Sequence, residues 1–191
     1  MTDNINEKEI RNGAIAKAGD GESRTVEGYA IVFGVESDDL GFREIIHKGA
    51  VTEDTIRESD VLARFCHSEE KVLARCKNGV GSLRLTVDEK GLKYEFDAPK
   101  TALGDELLEL IRRGDISNSS FAFTIAKDGD KWTRDKDGTL IRDVYRIERL
   151  YDIAPVFHPA YSATSCSTRE LDRIKAVDEK LDALMEIFKS L

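Results

Sequence analysis

In GSLRLTVDEKGLKYEF, residues 81–96, Leu83, Leu85 and Val87 fall two apart, and Leu92, Tyr94 and Phe96 do so again after the polar DEKG. Side chains alternate across a strand, so each half offers one apolar face, and the turn residues between them predict a β-hairpin. The same period occurs upstream in TVEGYAIVF, where Tyr29, Ile31 and Phe33 are two apart, and in the short FREII that ends before His47. Downstream, SSFAFTIA sets Phe121, Phe123 and Ile125 on one side and Ser120, Ala122 and Thr124 on the other. A charged, glycine-bearing loop is expected from Lys127 to Gly138, followed by one long strand-like run, LIRDVYRIERLYDIAPV. The expected fold class is mostly β with helices (α+β), as a small barrel or curved sheet.

Two segments depart from this period. From Thr101 to Arg113, Leu103, Leu107, Leu110 and Ile111 form a helical stripe, with Thr101 able to cap the start and Gly114 able to end it. From Thr168 to Leu191 there is neither glycine nor proline, and Val177, Leu181, Leu184, Phe188 and Leu191 follow one another by four and three in turn. That spacing predicts a C-terminal helix, either the seam of a short coiled coil or a helix packed on its own domain. The expected organisation is a polar N-terminal arm over residues 1–22, loose or forming an edge strand, a main domain over 23–166, and the helix over 167–191.

The chain has 191 residues, room for one core of ordinary size. Its net charge of −8, without a basic patch, argues against a nucleic-acid partner. No apolar run approaches the roughly 20 residues of a membrane span, and the opening MTDNINEKEI lacks the order of a signal peptide, so a cytosolic protein is expected. Cys66, Cys76 and Cys166 are odd in number and lack the spacing of a zinc site or a disulfide framework. Reduced thiols, no metal and no cofactor are expected.

Any histidine-dependent chemistry must use His47, His67 or His158. His67 follows the apolar VLARFC and precedes the polar SEEK, where a strand leaves the core and an imidazole can reach a cleft. Ser119 and Ser120 follow the capped helix at the mouth of a strand, a junction that exposes a hydroxyl while fixing its backbone. Serine at such a place more often only satisfies local amides. No GxSxG elbow is present, which argues against an α/β-hydrolase. A cysteine hydrolase built on Cys166 or Cys76 with His158 or His67 is disfavoured, because reduced cysteines are usually buried small hydrophobes. A metal site from His67, Glu69 and Glu70 is weaker still.

Taken in order, RTVEGYAIVFG, LARFCHSEEKVLAR, GSLRLTVDEKGLKYEFDAP, LIRRGDISNSSFAF and LYDIAPVFHPAY resemble the prohead protease family of tailed bacteriophages over roughly Arg24 to Cys166. The family's histidine segment resembles FNHD, which FCHS matches at His67 and departs from at Cys66 and Ser68. Its serine segment resembles GMSFGF, which NSSFAF matches at Ser120, with Ala122 where glycine is usual. Its acidic segment resembles LLEVSPV, and RLYDIAPV sets Asp152 there, with Glu148 and His158 as competitors nearby. Glu148 and Asp152 are four apart on one strand face, so parity does not separate them.

The resemblance implies a serine endopeptidase with Ser120, His67 and Asp152 as its triad, and a β-barrel of the herpesvirus capsid-maturation protease type. It implies as substrate the scaffolding region of the phage major capsid protein or a separate scaffold, and the protease's own chain; self-association of the protease is expected instead from the apolar seam of the C-terminal helix. The place of action would be the host cytoplasm, inside the assembling prohead. The alternative is a non-catalytic scaffold or assembly protein that retains the protease fold.

Overall fold

The computed structural model describes residues 8–19, 22–38 and 40–157, which all belong to one unit of the chain, Met1–Tyr161. His158, Cys166 and the helix expected over 167–191 lie outside the described residues. In chain order the strands are β1 (Glu9–Ala18), β2 (Thr25–Val32), β3 (Arg43–Ile46), β4 (Asp60–Arg64), β5 (Val72–Lys77) and β6 (Val80–Gly81). They continue as β7 (Leu83–Val87), β8 (Gly91–Asp97), β9 (Asn118–Ile125), β10 (Asp130–Arg134), β11 (Leu140–Val144) and β12 (Ile147–Val156). Two α-helices are present among the described residues, α1 (Glu53–Arg57) and α2 (Ala102–Arg112). The fold is thus mostly β with few helices.

Nine strands form one sheet in the order β6-β5-β4-β12-β9-β1-β2-β8-β7, and β10-β11-β3 form a second. The hairpin read from residues 81–96 is the β7–β8 pair, with Leu83 opposite Phe96 and Leu85 opposite Tyr94. Its neighbour β2 departs from simple alternation. The register shifts between Tyr29 and Ile31, so Val26, Gly28 and Ala30 are buried, then Ile31, while Tyr29 turns its hydroxyl to Asp88 at 2.7 Å. A bulge adds one residue and exchanges the faces beyond it.

The sheet does not close into the expected barrel by a hydrogen-bonded ladder. Its two edges, β6 and β7, follow one another along the chain through Ser82. At Ser82 the chain leaves β5 and joins β8, so one continuous segment supplies both edges. Gly81, at φ 153°, sits at this crossing, where a Cβ would lie 2.0 Å from the Arg75 carbonyl oxygen. Only glycine permits that approach.

Helix α2 follows the sequence pattern. Thr101 accepts from the Gly104 amide, Leu107, Leu108 and Ile111 are buried, and Gly114 at φ 81° lets the chain leave after the last turn.

Three expectations are corrected. The segment Glu9–Ala18, read as part of an arm or an edge strand, is β1, hydrogen-bonded to β9 on one side and β2 on the other. The loop expected over 127–138 contains β10, paired with β11, and the long run is two strands broken at Tyr145–Arg146. Charged side chains hid β1 and β10 because they are satisfied internally. Arg11 bonds Glu9 and Glu44 at 2.6 Å each, and Arg142 bonds Glu9 at 2.6 Å and Asp130 at 2.7 Å. Glu9, Arg11, Glu44 and Arg142 are all buried. Burial works to lower the Arg142 pKa, but Glu9, Glu44 and Asp130 more than offset it and raise it above the ordinary value. This cluster ties β1 to the three-stranded sheet.

Candidate active site

His67 is presented by the turn that ends β4. Cys66, at φ 50° and ψ 43°, and His67, at φ 57°, are both in the left-handed region, and the Ser68 amide closes the turn on the Phe65 carbonyl at 3.0 Å. Two central residues with positive φ make a tight reversal of the type usually built from asparagine and glycine, and side chains there cost about 1–2 kcal/mol each. The surroundings hold it. Phe65 is buried against the edge of Phe157, with ring centroids 6.0 Å apart, and the Cys66 thiol points to the Pro155 carbonyl at 3.6 Å.

Ser120 lies on β9 with Asn12 of β1 opposite on one side and Ala154 of β12 on the other. Asp152 lies on β12 beside Ala122 of β9 and Leu62 of β4. Ser120 and Asp152 are both fully buried. The Nε2 atom of His67 is 2.6 Å from Ser120 Oγ, and its Nδ1 is hydrogen-bonded to Oδ1 of Asp152. A carboxylate only accepts, so Nδ1 carries the hydrogen and the neutral ring turns a lone pair toward Ser120. The three side chains, 53 and 85 positions from His67, therefore form one continuous line.

The other oxygen of Asp152 is taken by two cations, Lys8 Nζ at 2.8 Å and Arg64 Nη1 at 3.3 Å. Burial works to raise the Asp152 pKa, but the hydrogen bonds from His67 and Lys8 and their charges outweigh it and leave the carboxyl below its ordinary value. Ser120 Oγ has a second partner as well, the Arg11 carbonyl at 2.7 Å. A hydroxyl has one proton, so Arg11 and His67 compete for it.

The rival residues stand elsewhere. Ser119 is buried on the opposite face, with its Oγ 2.7 Å from the Tyr94 hydroxyl, whose pKa burial raises. Glu148 is exposed. His47 is 2.6 Å from Asp143 and stacked on Tyr145. Burial raises the pKa of the Cys66 and Cys76 thiols, which disfavours a thiolate nucleophile at either. Among the described residues no group of three or more His, Cys, Asp or Glu side chains could hold a metal, and no helix is long and apolar enough to cross a membrane. Lys8, Arg64 and the Arg11 carbonyl escaped the sequence reading. Arg64 left a trace, as the one charge in the apolar run before His67, whereas Lys8 stands in a polar segment without pattern.

A buried serine, an imidazole and a carboxylate hydrogen-bonded in line on a β framework are the equipment of a serine hydrolase. The profile of the caudovirus prohead serine protease family matches residues 10–178, and the chain belongs to that family. The structure is similar to that of the bacteriophage T4 capsid assembly protease, gp21, with a TM-score of 0.50 and 12% identity, covering 78% of this chain and 99% of that one. At that identity the likeness is one of fold. No curated protein matches the chain in sequence.

Proposed function

We propose that this prohead protease uses Ser120 as nucleophile, His67 as general base and then general acid, and Asp152 to orient the imidazole. The observation that carries this reading is the continuous hydrogen-bonded line from Asp152 through His67 to Ser120. The Ser120 hydroxyl turns from the Arg11 carbonyl to Nε2 and gives up its proton as Oγ bonds to the scissile carbonyl carbon. The imidazolium, stabilised by Asp152, then protonates the leaving amine as the carbon–nitrogen bond breaks. Water, deprotonated by the same nitrogen, releases the acyl group and restores Ser120.

The substrates in this reading are the scaffolding region of the major capsid protein or a separate scaffold, and the chain itself, cut inside the assembling prohead in the host cytoplasm. Self-association through the C-terminal segment belongs to the same reading, as does a curved sheet of the herpesvirus capsid-protease type; nucleic acid and membrane have no part in it. The test is co-expression with the capsid protein of the same phage, followed by intact-mass analysis. Ser120→Ala abolishes every cleavage, and wild-type activity falls as the pH is lowered and the general base takes up a proton. Cleavage that persists in Ser120→Ala, or a rate flat from pH 5 to 8, removes this mechanism.

A further inference from the structure

We infer that Lys8 is a positioning residue for the reaction: it holds Oδ2 of Asp152 so that Oδ1 stays turned to the imidazole. This rests on the triad reading above. A carboxylate pivots about its Cβ–Cγ bond, and Asp152, fully buried, is oriented by the donors around it. Lys8 precedes β1 and reaches over β9 to Asp152 on β12, with Nζ 2.8 Å from Oδ2 and 5.5 Å from the centroid of the Tyr151 ring. Ala122, opposite both Ile10 and Asp152, brings only a methyl group to the strand that Lys8 crosses. Arg64 is the weaker partner, at 3.3 Å, and its buried Nε has no acceptor among the described residues.

The arrangement also sets a charge balance. Asp152 is faced by Lys8 from the residue before β1, by Arg64 from β4 and by His67 from the turn after β4, while Ser120 and Ala122 on β9 bring no charge. Around His67, Glu69, Glu70 and Lys71 follow it in the chain and are exposed. Two cations on Oδ2 offset the charge of the carboxylate that faces the imidazole. Without Lys8 one of those positive charges is lost, and Oδ2 keeps only the longer contact to Arg64.

A fluorophosphonate probe reads this without a protein substrate, because Ser120 Oγ bonds phosphorus, fluoride leaves and His67 takes the proton. The full-length chain is labelled from pH 5 to 9 as wild type, Lys8→Met, Lys8→Gln, Lys8→Arg and Ser120→Ala. Lys8→Met and Lys8→Gln are expected to react about ten to a hundred times more slowly at pH 7, the scale of a catalytic group slightly misplaced. Their acid limb moves to higher pH, since the lost positive charge had disfavoured the imidazolium. Lys8→Arg stays within a few-fold of wild type. If both neutral variants match wild type in rate and acid limb, or lose rate with the limb unmoved and no rescue by arginine, Lys8 is structural and the inference falls. Labelling of Ser120→Ala at the wild-type rate would instead overturn the triad reading.

Discussion

Replacing Asp152 with asparagine should be among the most damaging changes to catalysis that leave the backbone alone. The wild-type carboxylate serves three donors, Nδ1 of His67 on one oxygen and Lys8 and Arg64 on the other. Asparagine offers one oxygen and one NH2 group. If the NH2 faced the two cations, donors would oppose donors, so the amide oxygen should turn to Lys8 and Arg64 and the NH2 to His67. Nδ1 must then accept, the ring hydrogen moves to Nε2, and Nε2 can no longer take the proton of Ser120. The expected loss is on the order of 10⁴ in kcat, the scale of a triad aspartate turned into an amide. At about 1.4 kcal/mol per tenfold, that is about 5.5 kcal/mol of transition-state stabilisation. Turnover of capsid substrate is measured for Asp152→Asn beside Glu148→Gln and His158→Ala, with folding checked by circular dichroism. The reasoning is refuted if Asp152→Asn stays within a few-fold of wild type while either of the others is folded and inactive. The same variant has a stability signature. The lowered pKa of Asp152 contributes stability that is fully present above the unfolded value near 3.9 and is lost as pH falls through the lower folded value. Asp152→Asn lacks this contribution, so its deficit against wild type shrinks below about pH 4.

Two further outcomes concern the supports of the site. Ser119→Ala should keep substantial activity per folded molecule but lose about 1–3 kcal/mol of stability, because it strands the buried Tyr94 hydroxyl. Combining it with Tyr94→Phe should cost less than the sum of the two, and additive losses in denaturant titrations would break the pairing. Cys66→Asn, which restores the residue of the family's FNHD-like segment at a left-handed position, should raise stability by roughly 1 kcal/mol with the active site intact. A lower denaturation midpoint would show that the thiol contact to Pro155 outweighs the backbone strain.

The β7–β8 hairpin, the capped helix α2 and the strand leading to His67 were legible because their signals are local. An apolar residue every second or every third to fourth position needs only its sequence neighbours to declare a face, and Thr101 and Gly114 mark helix ends wherever the helix packs. His67 and Ser120 were legible as residue types at strand ends, and the family resemblance paired them with Asp152. The choice between Asp152 and Glu148 lay beyond periodicity: a regular strand would set both on one face, but the register of β12 shifts between Leu150 and Asp152, and the fold buries one against His67 and leaves the other exposed. The place of β1 lay beyond it too. EIRNGAIAKA reads as polar because the partners of Glu9 and Arg11 are Glu44 and Arg142, 33 and 133 positions away. Buried charge is tolerable only when such partners are already assembled, so a charged segment declares itself interior only after the whole sheet has formed around it. Lys8 and the Arg11 carbonyl reach Asp152 and Ser120 by that same long-range assembly, which no local spacing encodes.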